Sequence, residues 1–165
     1  MLGRILLSRP PTILSHATDR ASAEEAVVST ESPAARQSHW SVAPYLLVDD
    51  VVATSTYYRD SLGFGFERLW GDPPVFCMVR RQGVTLMLAQ AETRGLMRPN
   101  HVADPERHAW DAYIWIDDAD GLYAEYRARG VTISREVCDQ PYGCRDFEVD
   151  DCNGYRLCFG QDMES

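Results

Sequence analysis

Cysteines, histidines and paired acids are the residues of this 165-residue chain whose chemistry needs locating first. The five cysteines, Cys77, Cys138, Cys144, Cys152 and Cys158, include no C-x-x-C pair. Zinc ribbons and thioredoxin-like redox sites are built on that unit, so both lack their base here. An odd count, in a chain long enough to fold without disulfides, reads as reduced thiols of a cytoplasmic protein. His101, His108 and Asp111 follow the spacing H-x6-H-x2-D. His108 and Asp111 have opposite strand parity, so they are not expected to converge, and these histidines read as exposed loop residues. His16 and His39 lie in or beside the N-terminal segment. Ser-His-Asp chemistry has no G-x-S-x-G elbow to support it, and no histidine is placed near Cys144 or Cys158 to activate a thiol.

All 16 basic residues are arginine, which removes Schiff-base lysine chemistry and the phosphate-loop lysine. The net charge of −9 repels phosphate backbones and argues against a nucleic-acid partner. No apolar run approaches the roughly 20 residues of a membrane-spanning helix, so no membrane role is expected. The 45% hydrophobic content is enough for a core.

The first forty residues differ from the rest. Arg4, Arg9, Arg20 and Arg36 balance Asp19, Glu24, Glu25 and Glu31, so the acidity belongs to residues 41–165. From Ser15 to Ser38 large apolar residues are almost missing. Residues 1–39 therefore read as a disordered or poorly ordered tail, as an upstream start, or as a weak organellar leader. The folded domain is expected over 40–165.

That domain contains one unit twice. Pro44-Tyr45-Leu46-Leu47-Val48-Asp49-Asp50 matches Ala112-Tyr113-Ile114-Trp115-Ile116-Asp117-Asp118 at an offset of 112 − 44 = 68. Further along the offset is 147 − 76 = 71, which sets Phe76 on Phe147, Gly83 on Gly154 and Met87 on Cys158. Each unit reads as strand, helix, then three strands, over 41–90 and 111–161. Asp50 and Asp118 are expected N-caps, and Gly63 and Gly130 helix stops. The first unit's strands are expected over 42–48, 64–70, 75–81 and 84–90. Those of the second are expected over 112–116, 131–137, 144–149 and 155–160.

The phrase Val48-Asp49-Asp50, followed by Tyr57-Tyr58-Arg59-Asp60-Ser61-Leu62-Gly63-Phe64, resembles the first motif of the vicinal oxygen chelate superfamily. That superfamily comprises glyoxalase I, extradiol dioxygenases and bleomycin-resistance proteins. Tyr142-Gly143-Cys144-Arg145-Asp146-Phe147, running to Asp151-Cys152-Asn153-Gly154, resembles the bleomycin-resistance branch more specifically, with Cys152 where that branch usually carries proline. The resemblance covers about 41–162. It implies an α+β fold of two βαβββ modules forming a curled mixed sheet around a cavity. It also implies a homodimer.

Metal-using members of that superfamily place ligands at positions that fall here on Ala43, Met87, Asp111 and Cys158. Alanine has no donor atom, and a thioether suits hard divalent ions poorly. Two remaining candidates are fewer than the three protein ligands of ordinary catalytic sites. The expectation is therefore no metal and no other cofactor. Strand parity puts Tyr45, Tyr113 and Trp115 on the cavity side together with Met87, Asp111, Arg156 and Cys158, and Phe147 is expected to join them. Such an aromatic lining suits a planar small molecule held by stacking. Asp111 favours a cationic ligand, while Arg145 and Arg156 favour an anionic one unless they pair with neighbouring carboxylates. The first reading is thus a metal-free binding protein, tied to antibiotic resistance through the resemblance. The alternatives are a metal-dependent lyase, isomerase or dioxygenase, and a scaffold whose aromatics fill the cavity.

Overall fold

The repeat seen in the sequence sets the architecture. A computed structural model describes residues 41–164, and the expected tail lies outside the described residues. The elements are β1 (Tyr45–Val48), α1 (Val51–Asp60), β2 (Leu69–Trp70), β3 (Phe76–Arg81) and β4 (Val84–Gln90). After a linker holding the short α2 (Asn100–Ala103) come β5 (Ala112–Trp115), α3 (Ala119–Ala128), β6 (Ile133–Asp139), β7 (Cys144–Asp150) and β8 (Arg156–Asp162). The strands form two four-stranded sheets of matching order, β1-β4-β3-β2 and β5-β8-β7-β6. This is the expected pair of βαβββ modules. The two sheets remain separate and open, so one chain does not curl them into a single closed cavity.

Equivalent residues do equivalent work in the two modules. The Asp50 carboxylate accepts the Val52 and Ala53 amides at the start of α1, and Asp118 accepts the Gly121 amide at the start of α3. Gln90 and Gln161, 71 residues apart, each accept the first helical amide, from Val51 and Ala119 respectively. Both sets satisfy helix N–H groups that have no partner within the helix. Gly63 and Gly130 come after the helices at a φ of +71°, the left-handed conformation that ends a helix cheaply only in glycine. The parallel registers agree too: Tyr45 pairs with Met87, and Tyr113 with Cys158.

The antiparallel pairs revise the internal alignment. Met78 pairs with Met87, and Glu148 with Cys158. The offset of the third strand is therefore 148 − 78 = 70, while that of the fourth is 158 − 87 = 71. Phe76 thus corresponds to Asp146, and Cys77 to Phe147. A one-residue slip moves a strand residue to the other face, and so Phe147 belongs to the helix side. Strand β2 is also shorter than expected. Gly65 bridges Arg80 while Leu69 pairs with Cys77, so the pairing slips by one residue between them and the chain leaves the ladder.

The modules pack through their helix sides into one core. Tyr58, Leu62, Leu86 and Leu88 from the first meet Tyr126, Phe147, Leu157 and Phe159 from the second. The contact is reciprocal. The β7–β8 turn docks on the first module: the Tyr58 hydroxyl donates to Asp151 (2.9 Å), Asn153 to the Thr54 hydroxyl (3.1 Å), and Tyr155 to the Leu47 carbonyl (2.7 Å). From the other side, Arg81 at the end of β3 holds Glu125 of α3 with both guanidinium nitrogens, at 3.0 and 2.8 Å. The Tyr126 hydroxyl donates to the Leu62 carbonyl at 3.2 Å.

Burial pushes the Asp151 carboxyl above its ordinary range and outweighs the hydrogen bonds that favour its charge. A group that holds its proton more tightly when folded stabilises the fold below its unfolded pKa, and that stability is lost as pH rises through the folded pKa. Asp151→Asn should therefore gain stability relative to the parent as pH rises through that range, in denaturant titrations at stepped pH. Tyr58→Phe removes the hydroxyl donor from one Asp151 oxygen, leaving the Asn153 and Tyr155 amides on the other, and should cost about 1–3 kcal/mol by urea unfolding.

Candidate functional site

Because helices cover one side of each sheet, the alternate residues are left on an open face. In β1, Leu46 and Val48 are buried, while Tyr45 is 60% exposed and Leu47 44%. In β5, Ile114 is buried and Trp115 is 63% exposed. Tyr45 and Met87 lie on the open face of the first sheet, and Tyr113, Trp115, Arg156 and Cys158 on that of the second. The expected site is thus divided between two separate sheets.

Three expected members are not available groups on an open face; Cys158, although its strand position turns it to that side, is 0% exposed. Phe147 is fully buried, stacked on Phe159 at 5.5 Å and edge-on to Tyr123 and Tyr126. Asp111, at the threshold of β5, spends both carboxylate oxygens on backbone amides: Asn100 donates to one and Arg156 to the other. It ties the linker to β8. Arg156 is bound bidentately by Asp150 (2.9 and 3.1 Å), and Arg145 by Asp120, with Asp139 on its other nitrogen. Pairing with neighbouring carboxylates accounts for both arginines.

The second open face is organised by two buried acids. Asp146 and Glu148 alternate on β7, 0% and 1% exposed. Arg135 on β6 bridges them, donating to Asp146 at 2.7 Å and to Glu148 at 2.9 Å. Aromatic side chains lie over the pair with their polar ends on the acids. Tyr142 (2.6 Å) and Tyr113 (3.3 Å) donate to Asp146, and the Trp110 indole donates to Glu148 (2.6 Å). The His108 ring sits on the same Glu148 oxygen, so it is more than a free loop histidine. Burial alone would raise the Asp146 pKa, but the hydrogen bonds from Tyr142 and Arg135 outweigh it and hold the carboxyl below its usual range. Tyr113 lies flat over β8 because residue 160 is glycine; a Cβ there would collide with its phenol ring.

Trp110, Tyr113, Trp115, Tyr142 and Cys144 line an apolar cleft of about 290 Å³. Its floor is rigid, since buried charge fixes the ring edges, while Trp115 and Tyr142 keep more than half their surface free. Sequence reading missed Arg135, Asp146 and Glu148. The signal was present: Asp146, Glu148 and Asp150 alternate with Phe147 and Val149, and pairing of β7 with β8 places Phe147 beside Phe159 on the core side.

The four metal-ligand positions of the resembled superfamily do not fit a divalent ion. Ala43 has no donor, and each Asp111 oxygen is already engaged by a backbone amide. Burial, then the charges of Asp146 and Glu148, push the Cys158 thiol well up, and the side chain is 0% exposed. Among the described residues no group of three or more His, Cys, Asp and Glu side chains could hold an ion.

Two βαβββ modules, packed through their helices and presenting open aromatic sheet faces, define a duplicated α+β scaffold. A family model described as the Glyoxalase/Bleomycin resistance protein/Dioxygenase superfamily matches residues 36–159, and the chain belongs to that superfamily. The chain resembles the solved bleomycin-binding protein of bleomycin-producing Streptomyces verticillus, in complex with copper(II)-bleomycin. Identity is 28% over 75% of this chain and 95% of that one, with a TM-score of 0.53. A bleomycin resistance determinant encoded on the transposon Tn5 is 19% identical over 75% and 98%, with a TM-score of 0.58. Lactoylglutathione lyase from Agrobacterium tumefaciens is 16% identical over 78% and 98%, with a TM-score of 0.55. These last two likenesses are of fold alone. No curated protein sequence matches the chain.

Arg135→Met would remove the cation that bridges two buried carboxylates, leaving Asp146 without one and Glu148 only Arg156 at 3.8 Å, and should cost about 3–5 kcal/mol in denaturant unfolding. The Asp146 contribution has the opposite sign to that of Asp151. Its lowered pKa gives stability above the ordinary carboxylate range that is lost as pH falls through the folded value. Tyr142→Phe should therefore flatten the acid limb of a stability-against-pH curve.

Proposed function

We propose that this protein is a metal-free binding module that sequesters a planar aromatic compound by stacking, as a homodimer in the cytoplasm. The observation that carries the reading is the cleft on the second sheet, where Tyr113, Trp110 and Tyr142 are pinned by buried carboxylates beside the exposed Trp115. Rings held in place lose little freedom on binding, so stacking on them is not offset by ordering costs. Likeness to the bleomycin-binding protein, the most similar in sequence of the three, supports binding over catalysis. A metal-dependent lyase, isomerase or dioxygenase is less well supported, because the donor set at Ala43, Met87, Asp111 and Cys158 does not fit an ion. Tyr45, Leu47 and Trp115 lie exposed on strands β1 and β5, whose outer edges are unpaired. Apolar edge strands of this kind are normally covered. A second copy would cover them and bring a first-sheet face opposite a second-sheet face, with antibiotic sequestration as the biological setting.

Trp115→Ala should weaken binding of planar aromatic probes by roughly 1–3 orders of magnitude in a tryptophan-fluorescence titration, the cost of removing a stacking anchor. Ile114→Ala, on the core side, should lower stability and leave affinity nearly unchanged. Unchanged binding by Trp115→Ala would sink the cleft as the site. Elemental analysis of protein purified without chelator should give less than one divalent ion per chain, and EDTA should leave Tm in place. Light scattering should give twice the chain mass.

A further inference from the structure

The charge left over on the two open faces selects the class of ligand. On the second sheet the acids are already matched: Arg135 bridges Asp146 and Glu148, and Arg156 holds Asp150. The first sheet is built differently at the same positions. Corresponding to Asp146, Glu148 and Asp150, at the third-strand offset of 70, are Phe76, Met78 and Arg80. The face is apolar where its counterpart is acidic, and cationic where its counterpart is anionic. Arg80 is exposed and its guanidinium meets only the Met78 thioether, at 3.6 Å. Arg68, also exposed, lies over the Trp70 ring at 4.7 Å. Neither has a carboxylate within ion-pair distance among the described residues. Arg59, Arg81, Arg127, Arg135, Arg145 and Arg156, which lie in the helices and other strands or at the β3 end, all do. In a chain of net charge −9, two arginines beside an aromatic wall without an acid are a local reversal of sign.

The wall itself is continuous. Trp70 meets Phe76 at 5.5 Å, and Phe76 stacks on Tyr45 at 6.2 Å with an interplanar angle of 26°. We propose that the ligand is a planar aromatic anion, an aryl carboxylate or sulfonate, whose rings lie along Trp70, Phe76 and Tyr45. Its acidic group is taken by Arg68 and Arg80. This rests on the reading of the protein as a dimeric binding module, in which the first-sheet wall of one copy faces the second-sheet cleft of the other, and it fixes the sign of the charge on the ligand held between them. Guanidinium donors pair with carboxylate and sulfonate oxygens through charge-assisted hydrogen bonds. The diffuse repulsion of the acidic chain acts equally on variants of equal net charge, so comparison of such variants isolates the local contact.

The test compares 1-pyrenesulfonate with 1-pyrenemethylammonium, which share one ring system and differ in sign, by calorimetric titration of the full chain. The sulfonate should bind at least about tenfold tighter, and Arg68→Gln and Arg80→Gln should each weaken it by roughly three- to fivefold without weakening the ammonium. Arg98→Gln, in the linker, makes the same change in net charge and should leave both affinities in place. Thermal melts check that the exposed substitutions leave the fold intact. Equal or tighter binding of the ammonium, or sulfonate binding unchanged in both arginine variants, would overturn the anion while leaving the binding module standing. Failure of both probes to bind would remove the binding module and this inference with it.

Discussion

Two tyrosine hydroxyls hold the architecture in register. Tyr58 and Tyr126 occupy equivalent helix positions, both are fully buried, and each donates across the boundary between modules. A buried phenol without a partner is costly, so each helix is bound to a particular place on the other module and not merely to an apolar surface. The consequence reaches every strand. With the helix sides committed to one another, the opposite sheet faces are left open, and the residues there are free to diverge because the core does not use them.

Divergence went in two chemical directions on one framework. The second face buried carboxylates and covered them with aromatic rings, a fully bonded arrangement in which Arg135, Tyr113, Tyr142, Trp110 and His108 converge on two acids. Partial versions of such a network are unstable, because a single missing donor leaves charge in a dry place. The first face kept Phe76, Met78 and Met87 at the matching positions, a soft surface that asks for no such completion.

Much of this was legible from the chain alone. The Asp50 and Asp118 caps, the Gly63 and Gly130 stops and the bounds of β4 arise from local chemistry that tertiary contacts do not override. The face of each β1 and β5 residue came from parity, since a half-buried strand has one solution. Phe147 was misplaced because like was matched with like, phenylalanine with phenylalanine, in place of strand pairing, and an error of one residue inverts a strand. Arg135 and His108 were hidden for another reason. Their partners are distant in sequence, and the ionic bridge depends on a β6–β7 ladder with irregular register that no local pattern encodes. Neither could single-chain parity reveal that the aromatic residues belong to two sheets rather than one.

Beneath Tyr113 lies Gly160, and at the corresponding strand position of the first module stands Ala89. Tyr113 reclines on the sheet with its hydroxyl on Asp146, whereas Tyr45 keeps 60% of its surface exposed and meets only the ring of Phe76 among the aromatic side chains. The first phenol is masonry; the second is an open hand. Exchanging these roles needs more than removing the Ala89 methyl, because the first module offers Phe76 where the second offers an acid, and a reclining Tyr45 would find nothing to bond. Duplicated halves of a binding protein can therefore differ sharply in which aromatic residues are structural and which are available, through a pair of changes that must occur together. That coupling makes each half slow to drift into the likeness of the other.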